Sequence, residues 1–199
     1  MKNKFITLLA AGAAFLGAHA PATANDLQID EARFGGSLID IPTPDRQSYY
    51  RYNLPGVNAE VLFTPFDFEM GDEQSEGFLR EVFTPRLHVG ATIALDDYSP
   101  SSVYTGLTWH HALGEILFIE SSFGATLHNG EMNPVRYSAT KQKRGLGSPL
   151  LFRESLSVGA NLTDTMTMVL QISHMSHAGL AGDNNSGQTD LALKLGHKF

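Results

Sequence analysis

The chain has 199 residues, 14 Lys and Arg against 21 Asp and Glu, a formal net charge of -7, 19 Gly, 12 Phe and no Cys. This length holds one compact domain after an export signal, the acidic balance argues against nucleic acid as a partner, and the missing Cys excludes disulfides, thiolate metal sites and a cysteine nucleophile. Beyond the N-terminus no stretch reaches the ~18 to 20 continuous apolar residues of a membrane-spanning helix.

The first element is an address. Lys2 and Lys4 precede the apolar run from Phe5 to Gly17, and Ala22-Thr23-Ala24 offers the small residues that signal peptidase accepts. The expectation is a signal peptide over 1–24 and a mature domain over 25–199. Ala18-His19-Ala20 is a second candidate cleavage site, and a retained helical anchor is disfavoured because the run is short. Losing Lys2 and Lys4 takes the basic count from 14 to 12 against 21 acids, a net of -9.

The mature chain alternates with period two. In a strand, i and i+2 share a face, so a wall between lipid and a barrel interior reads apolar on one parity and small or polar on the other. Weaker strands fall near 28 to 40 and 48 to 63. The long connection 64 to 80 holds Pro65, Gly71, Gly77 and five acids. Leu87, Val89, Ala91, Ile93 and Leu95 then share one parity, as do Val103, Thr105, Leu107 and Trp109. After a turn at Leu113-Gly114-Glu115, a further strand places Leu117, Ile119, Ser121, Phe123, Ala125 and Leu127 together.

Beyond a loop at 129 to 148 come Leu150, Phe152, Leu156, Val158 and Ala160. A turn at 162 to 165 leads to Met166, Met168, Leu170 and Ile172, and a loop at 178 to 187 leads to Leu191, Leu193, Leu195 and the terminal Phe199. These make eight strands, and the pattern predicts an all-β, eight-stranded antiparallel transmembrane barrel of a bacterial outer membrane. With both termini periplasmic, short turns fall inside and long loops outside, except for 64 to 80. A soluble sandwich or calycin-like barrel carries similar alternation and is the competing fold.

No internal repeat, phosphate-binding Gly loop or HExxH motif is present. Candidate chemistry gathers at His174-Met175-Ser176-His177-Ala178-Gly179-Leu180. His174 and Ser176 have the parity of Met168, Leu170 and Ile172, which puts an imidazole and a hydroxyl on the lipid-facing row. A base beside a hydroxyl is the minimal activated nucleophile, whereas a strand that has reached the headgroup zone accommodates His and Ser without any catalytic role. His177 has the opposite parity from His174, which argues against a two-His metal chelate, and no metal or cofactor is expected.

This stretch resembles the His-x-Ser-Asn-Ala-Gly-Leu motif of the lipid A 3-O-deacylase (PagL) family, also described as acyloxyacyl hydrolases. The similarity runs through Pro85 to Ala91, Tyr104 to Trp109, Phe123 to Gly130, Leu146 to Ser155 and Leu193 to Phe199. It covers about residues 85 to 199. The resemblance implies an eight-stranded outer-membrane barrel whose His-Ser-acid site faces the membrane and removes an ester-linked acyl chain from lipid A. Lipopolysaccharide would be its substrate and outer-membrane lipid its surroundings, and a homodimer is compatible with the sequence.

Residue by residue, His174 matches the general base and Ser176 the nucleophile of that family. His177 replaces the family's Asn, so oxyanion donors are sought at the backbone of Ala178 and Gly179 or the side chains of Asn184 and Asn185. Alignment on Gly187 puts Thr189 where the best-known member has its catalytic Glu, and Thr189 cannot orient an imidazolium by charge. Asp190 is an alternative acid, although its parity points inward unless a bulge turns it.

Glu154 interrupts the apolar row of Leu150, Phe152, Leu156 and Val158. A turn at 163 to 165 would set it opposite His174, as the triad acid or as a headgroup-level carboxylate. The loop at 129 to 148 carries Arg136, Lys141, Lys143 and Arg144 against Glu131, as candidates for the phosphates of lipid A or as an ordinary solvated loop. The competing function is a small non-catalytic outer-membrane barrel with a binding or structural role.

Overall fold

The computed structural model describes residues 27–42, 54–65, 84–132, 145–181 and 187–199. The expected signal peptide 1–24, most of the acidic 64 to 80 connection, the four loop cations Arg136, Lys141, Lys143 and Arg144, and Asn184 and Asn185 lie outside the described residues.

Among the described residues eight strands form: β1 (Ile29–Ile39), β2 (Leu54–Pro65), β3 (Arg86–Ala94), β4 (Ser102–Leu113), β5 (Leu117–His128), β6 (Leu150–Asn161), β7 (Met166–Ser176) and β8 (Gln188–Lys198). They close in sequence order into an antiparallel barrel, β8 pairing back to β1. β8 begins three residues before the apolar alternation at Leu191, because Gln188, Thr189 and Asp190 keep the pleat with polar side chains. The short β4–β5 and β6–β7 turns lie at one end. In the β6–β7 turn, Leu162 N donates to Met166 O at 2.8 Å.

The polarity is inside out relative to a soluble barrel. Inside, Arg33 donates to Glu120 at 2.6 and 2.9 Å and to Glu31 at 2.6 Å, and Arg86 also donates to Glu120. Farther along, Lys194 is paired with Glu60 and donates to Gln171 Oε1 at 3.2 Å, while the Arg153 guanidinium lies 3.8 Å from the Tyr104 ring centroid. Outside, Phe34, Leu156 and Leu193 are more than half exposed. Water would penalise such an apolar exterior at roughly 25 cal/mol per Å², whereas hydrocarbon accepts it. A soluble sandwich would bury its apolar parity instead, so the arrangement is that of a membrane barrel.

The register fixes the slope of the wall. Followed pair by pair across the strands, the row that leaves β4 at Ala112 passes through β5 to β8 and β1 to β3 and returns to β4 at Ser102. One circuit therefore displaces the ladder by ten residues, and closure with that stagger tilts the strands ~35 to 45° from the barrel axis. A cross-strand row starting on β4 climbs toward the outer mouth as it passes to β7.

Candidate active site

The site is built by three regular strands. The β6–β7 register sets Glu154 directly opposite His174 and Phe152 opposite Ser176. On the other flank, β8 pairs Thr189 with His174. All five side chains have the outward parity. The β7–β8 pairing is unbroken from Met166/His197 to Met175/Gln188.

Consequently His174 stands between a carboxylate and a hydroxyl on neighbouring strands. Its Nδ1 lies 2.9 Å from Thr189 Oγ1, hydrogen-bond distance. Glu154 is exposed on the wall, whereas His174 and Ser176 are half-buried. Directly opposed residues keep their Cβ atoms ~4.5 to 5.5 Å apart, within reach of a Glu side chain.

Asp190, the alternative acid, is not brought to His174. It points into the interior, where Asp40 N donates to its Oδ1 at 3.0 Å and Gln188 Nε2 at 3.0 Å. The bulge that would turn it outward does not occur, because Gln188, Thr189 and Asp190 continue the register of β8 without interruption.

Gly187 closes the site from the loop side. It has a left-handed φ of 53°, and a Cβ built on it would fall 2.7 Å from His174 Cε1 and 2.9 Å from Nε2. Only glycine combines that backbone with so close an approach to the ring.

After Ser176 the chain turns sharply. Ala178 and Gly179 have φ of 51° and 77°, and Leu180 N donates to His177 O at 2.9 Å. Two consecutive positive φ values closed by an i to i+3 bond are the pattern of a type I′ turn. Ala178 is one of two non-glycine residues among those described with positive φ. The buried His177 braces this turn, its Nδ1 accepting from Ala181 N at 3.3 Å. The residue that departs from the family motif thus organises the backbone next to the nucleophile candidate.

A groove of about 580 Å³ opens on the wall beside these groups, with Glu154, His174 and Thr189 at one end and Trp109 and Ser121 at the other. That volume is within the ~300 to 1,000 Å³ usual for ligand sites. A hydroxyl, an imidazole held at Nδ1, a nearby carboxylate and an adjoining groove are together the parts of an acyl-transfer site.

The family profile described as "Lipid A 3-O-deacylase (PagL)" matches residues 85–198. The chain belongs to the lipid A 3-O-deacylase (PagL) family. Among solved structures, it is similar to that titled "Crystal structure of the outer membrane enzyme PagL", with 16% identity and a TM-score of 0.53 over 85% of this chain and 99% of that one. It is also similar to Ail, the attachment invasion locus protein of Yersinia pestis, solved with the heparin analogue sucrose octasulfate. That match has 9% identity and a TM-score of 0.43, over 87% of this chain and 100% of the other. No curated protein matches the chain. Membership of the lipid A 3-O-deacylase family, with the barrel's apolar exterior, makes this a bacterial outer-membrane protein.

Two contributions escape the sequence. Thr189 lacks the charge of a triad acid, yet its hydroxyl meets His174 Nδ1. The signal for it is present, because Thr189 has the outward parity of Leu191. Gly187 reads in the sequence only as an alignment mark, since its left-handed backbone and its approach to the imidazole are not encoded by periodicity.

Proposed function

We propose that this chain is an outer-membrane serine esterase that removes an ester-linked acyl chain from lipid A. The observation that carries the proposal is the row Glu154, His174 and Thr189 on the lipid-facing wall, one pleat step from Ser176 and opening into the groove. Ester bonds of a membrane lipid are reached from that side of the wall and not from the barrel interior.

In this reading, Nδ1–H of His174 donates to Thr189 Oγ1, which fixes the tautomer and leaves Nε2 to act as base. Nε2 takes the Ser176 hydroxyl proton as Oγ attacks the ester carbonyl. The tetrahedral oxyanion is met by backbone N–H groups of the turn at Ala178 and Gly179, with Asn184 and Asn185 as side-chain candidates. Collapse breaks the bond to the sugar oxygen, which receives the proton from His174. Water, deprotonated by the same imidazole, then hydrolyses the acyl-enzyme and frees the fatty acid.

Glu154 supplies the negative charge that a threonine lacks. Set opposite His174, it stabilises the imidazolium that forms during each proton transfer, the role of the acid in a Ser-His-acid triad. Arg136, Lys141, Lys143 and Arg144 of the outer loop are proposed to attract the phosphates of lipid A, each contributing ~1 kcal/mol near an anionic surface.

The test is mass spectrometry of lipid A extracted from cells expressing the wild type or Ser176→Ala, with folding checked by the heat-modifiable gel shift. Loss of one ester-linked chain in the wild type alone is expected. Equal deacylation by folded Ser176→Ala would rule the mechanism out, and an unchanged lipid A profile in both would favour a non-catalytic barrel.

A further inference from the structure

The groove beside His174 has a direction. Two parallel rows cross its wall, one through Phe123, Glu154 and His174, the other one pleat step nearer the periplasm through Trp109, Ser121, Leu156 and Ile172. Because rows climb from β4 toward β7, the same rows descend from His174 toward β4. Trp109 therefore lies deeper in the membrane than the imidazole. Three strand spacings of ~4.8 Å separate β7 from β4, about 14 Å in all.

The groove ends at the row of Trp109, Ser121, Leu156 and Ile172. The next row toward the periplasm, which includes Ile119, Val158 and Leu170, contributes nothing to its lining. At the end stands Trp109, paired across the ladder with Ser121, an exposed short side chain on an otherwise bulky row. Ser121 leaves the floor open where Leu156 and Trp109 fill it on either side. Toward the outer mouth, Phe123 and Phe152 stack with ring centroids 5.9 Å apart, forming an aromatic edge beside Glu154.

We infer that Trp109 and Ser121, at the far end of this groove, set the length of the acyl chain that the site releases. The inference rests on the esterase proposal above and adds a determinant of substrate choice to it. A chain whose ester carbonyl sits at Ser176 and His174 runs down the sloping wall and ends against the indole. Shorter chains leave apolar wall uncovered, and longer ones must leave the groove at Trp109. One methylene more or less in such a site changes kcat/KM by roughly 10- to 200-fold.

The test uses the full-length barrel purified in detergent and lipid A substrates that differ only in the length of the ester-linked chain, with released fatty acids measured by mass spectrometry. Trp109→Ala should move the preferred length upward and Ser121→Leu downward, each changing the ratio of longest to shortest chain by at least about tenfold. Val89→Leu, on the lipid face of β3 away from the groove, should leave the preference unchanged. Folding of each variant is read from the heat-modifiable gel shift. Variants that stay active with the wild-type length preference, or that lose all lengths equally, overturn the inference while leaving the esterase intact. No release of any chain by the wild type overturns both.

Discussion

The lipid-facing wall has two sectors of different character. On β1 to β3 the outward residues are apolar or glycine throughout, from Ala32 to Leu38, Pro55 to Val61 and Leu87 to Ile93. On β4 to β8 the same parity carries Thr105, Ser121, Glu154, His174, Ser176 and Thr189, besides His111 and His197 near the periplasmic ends. Both sectors belong to one closed ladder and share one polar interior, so barrel stability does not require the polar groups of the second. A polar side chain facing hydrocarbon is unfavourable unless it is paired or used. The clustering of such groups on adjacent strands is what marks the site.

That contrast predicts opposite outcomes for mutations on the two faces of the wall. The largest effect is expected at Glu154. Replacing the acid of a triad while keeping nucleophile and base typically costs ~10⁴ in turnover, so Glu154→Gln should fall about that far in a folded barrel. Thr189→Val removes a neutral hydrogen bond, for which ~1 kcal/mol, or about fivefold, is expected. Side-by-side kinetics decide between them. A larger loss for Thr189→Val would make the hydroxyl the principal orienting group.

Inside the barrel the effect should fall on stability and leave the chemistry alone. Lys194→Met strands the buried Glu60 carboxylate, a change that typically costs 3 to 5 kcal/mol, about the range expected here. Denaturant unfolding in detergent should show it, and Glu60→Leu in the same chain should recover most of the loss. If Lys194→Met instead abolished deacylation in a barrel of unchanged stability, the division between a structural interior and a catalytic exterior would be wrong.

Gly187→Ala comes next. The added methyl meets the His174 ring, and a displacement of about 1 Å can lower turnover roughly 10²-fold. Gly114→Ala is the control, since Gly114 has a φ of 90° with nothing within 4 Å of an added Cβ. It carries backbone strain without touching the site, so equal losses in the two variants would make the Gly187 effect one of strain alone. The smallest effect is expected from the outer loop. Replacing Arg136, Lys141, Lys143 and Arg144 together by Gln should raise KM several-fold at low salt and spare kcat. KM values that match the wild type across a salt series would remove the loop from substrate capture.

The legible parts of this protein are those that period two encodes. The strand count, the inward parity of Asp190 and the pairing of Glu154 with His174 all follow from alternation and one short turn, because a pleated ladder leaves no freedom once a hairpin register is set. The start of β8 is harder to read, since Gln188, Thr189 and Asp190 lack the apolar alternation that signals a strand. The buried pairs Arg33–Glu120 and Lys194–Glu60 join residues 87 and 134 positions apart, and no local pattern announces such contacts. Gly187 against His174 belongs to the same class. Its role arises from a left-handed backbone that sets it against a ring on the neighbouring strand.

The central claim is that Ser176, activated by His174 on the membrane side of the wall, is the nucleophile. A fluorophosphonate ester, which phosphonylates only an activated serine, tests it directly when the labelled peptide is sequenced by mass spectrometry. A single adduct is expected on Ser176 in the wild type, blocked by prior incubation with lipid A and absent in folded His174→Ala. A wild-type barrel that releases acyl chains while Ser176 stays unlabelled, or that takes the label on another residue, would contradict it.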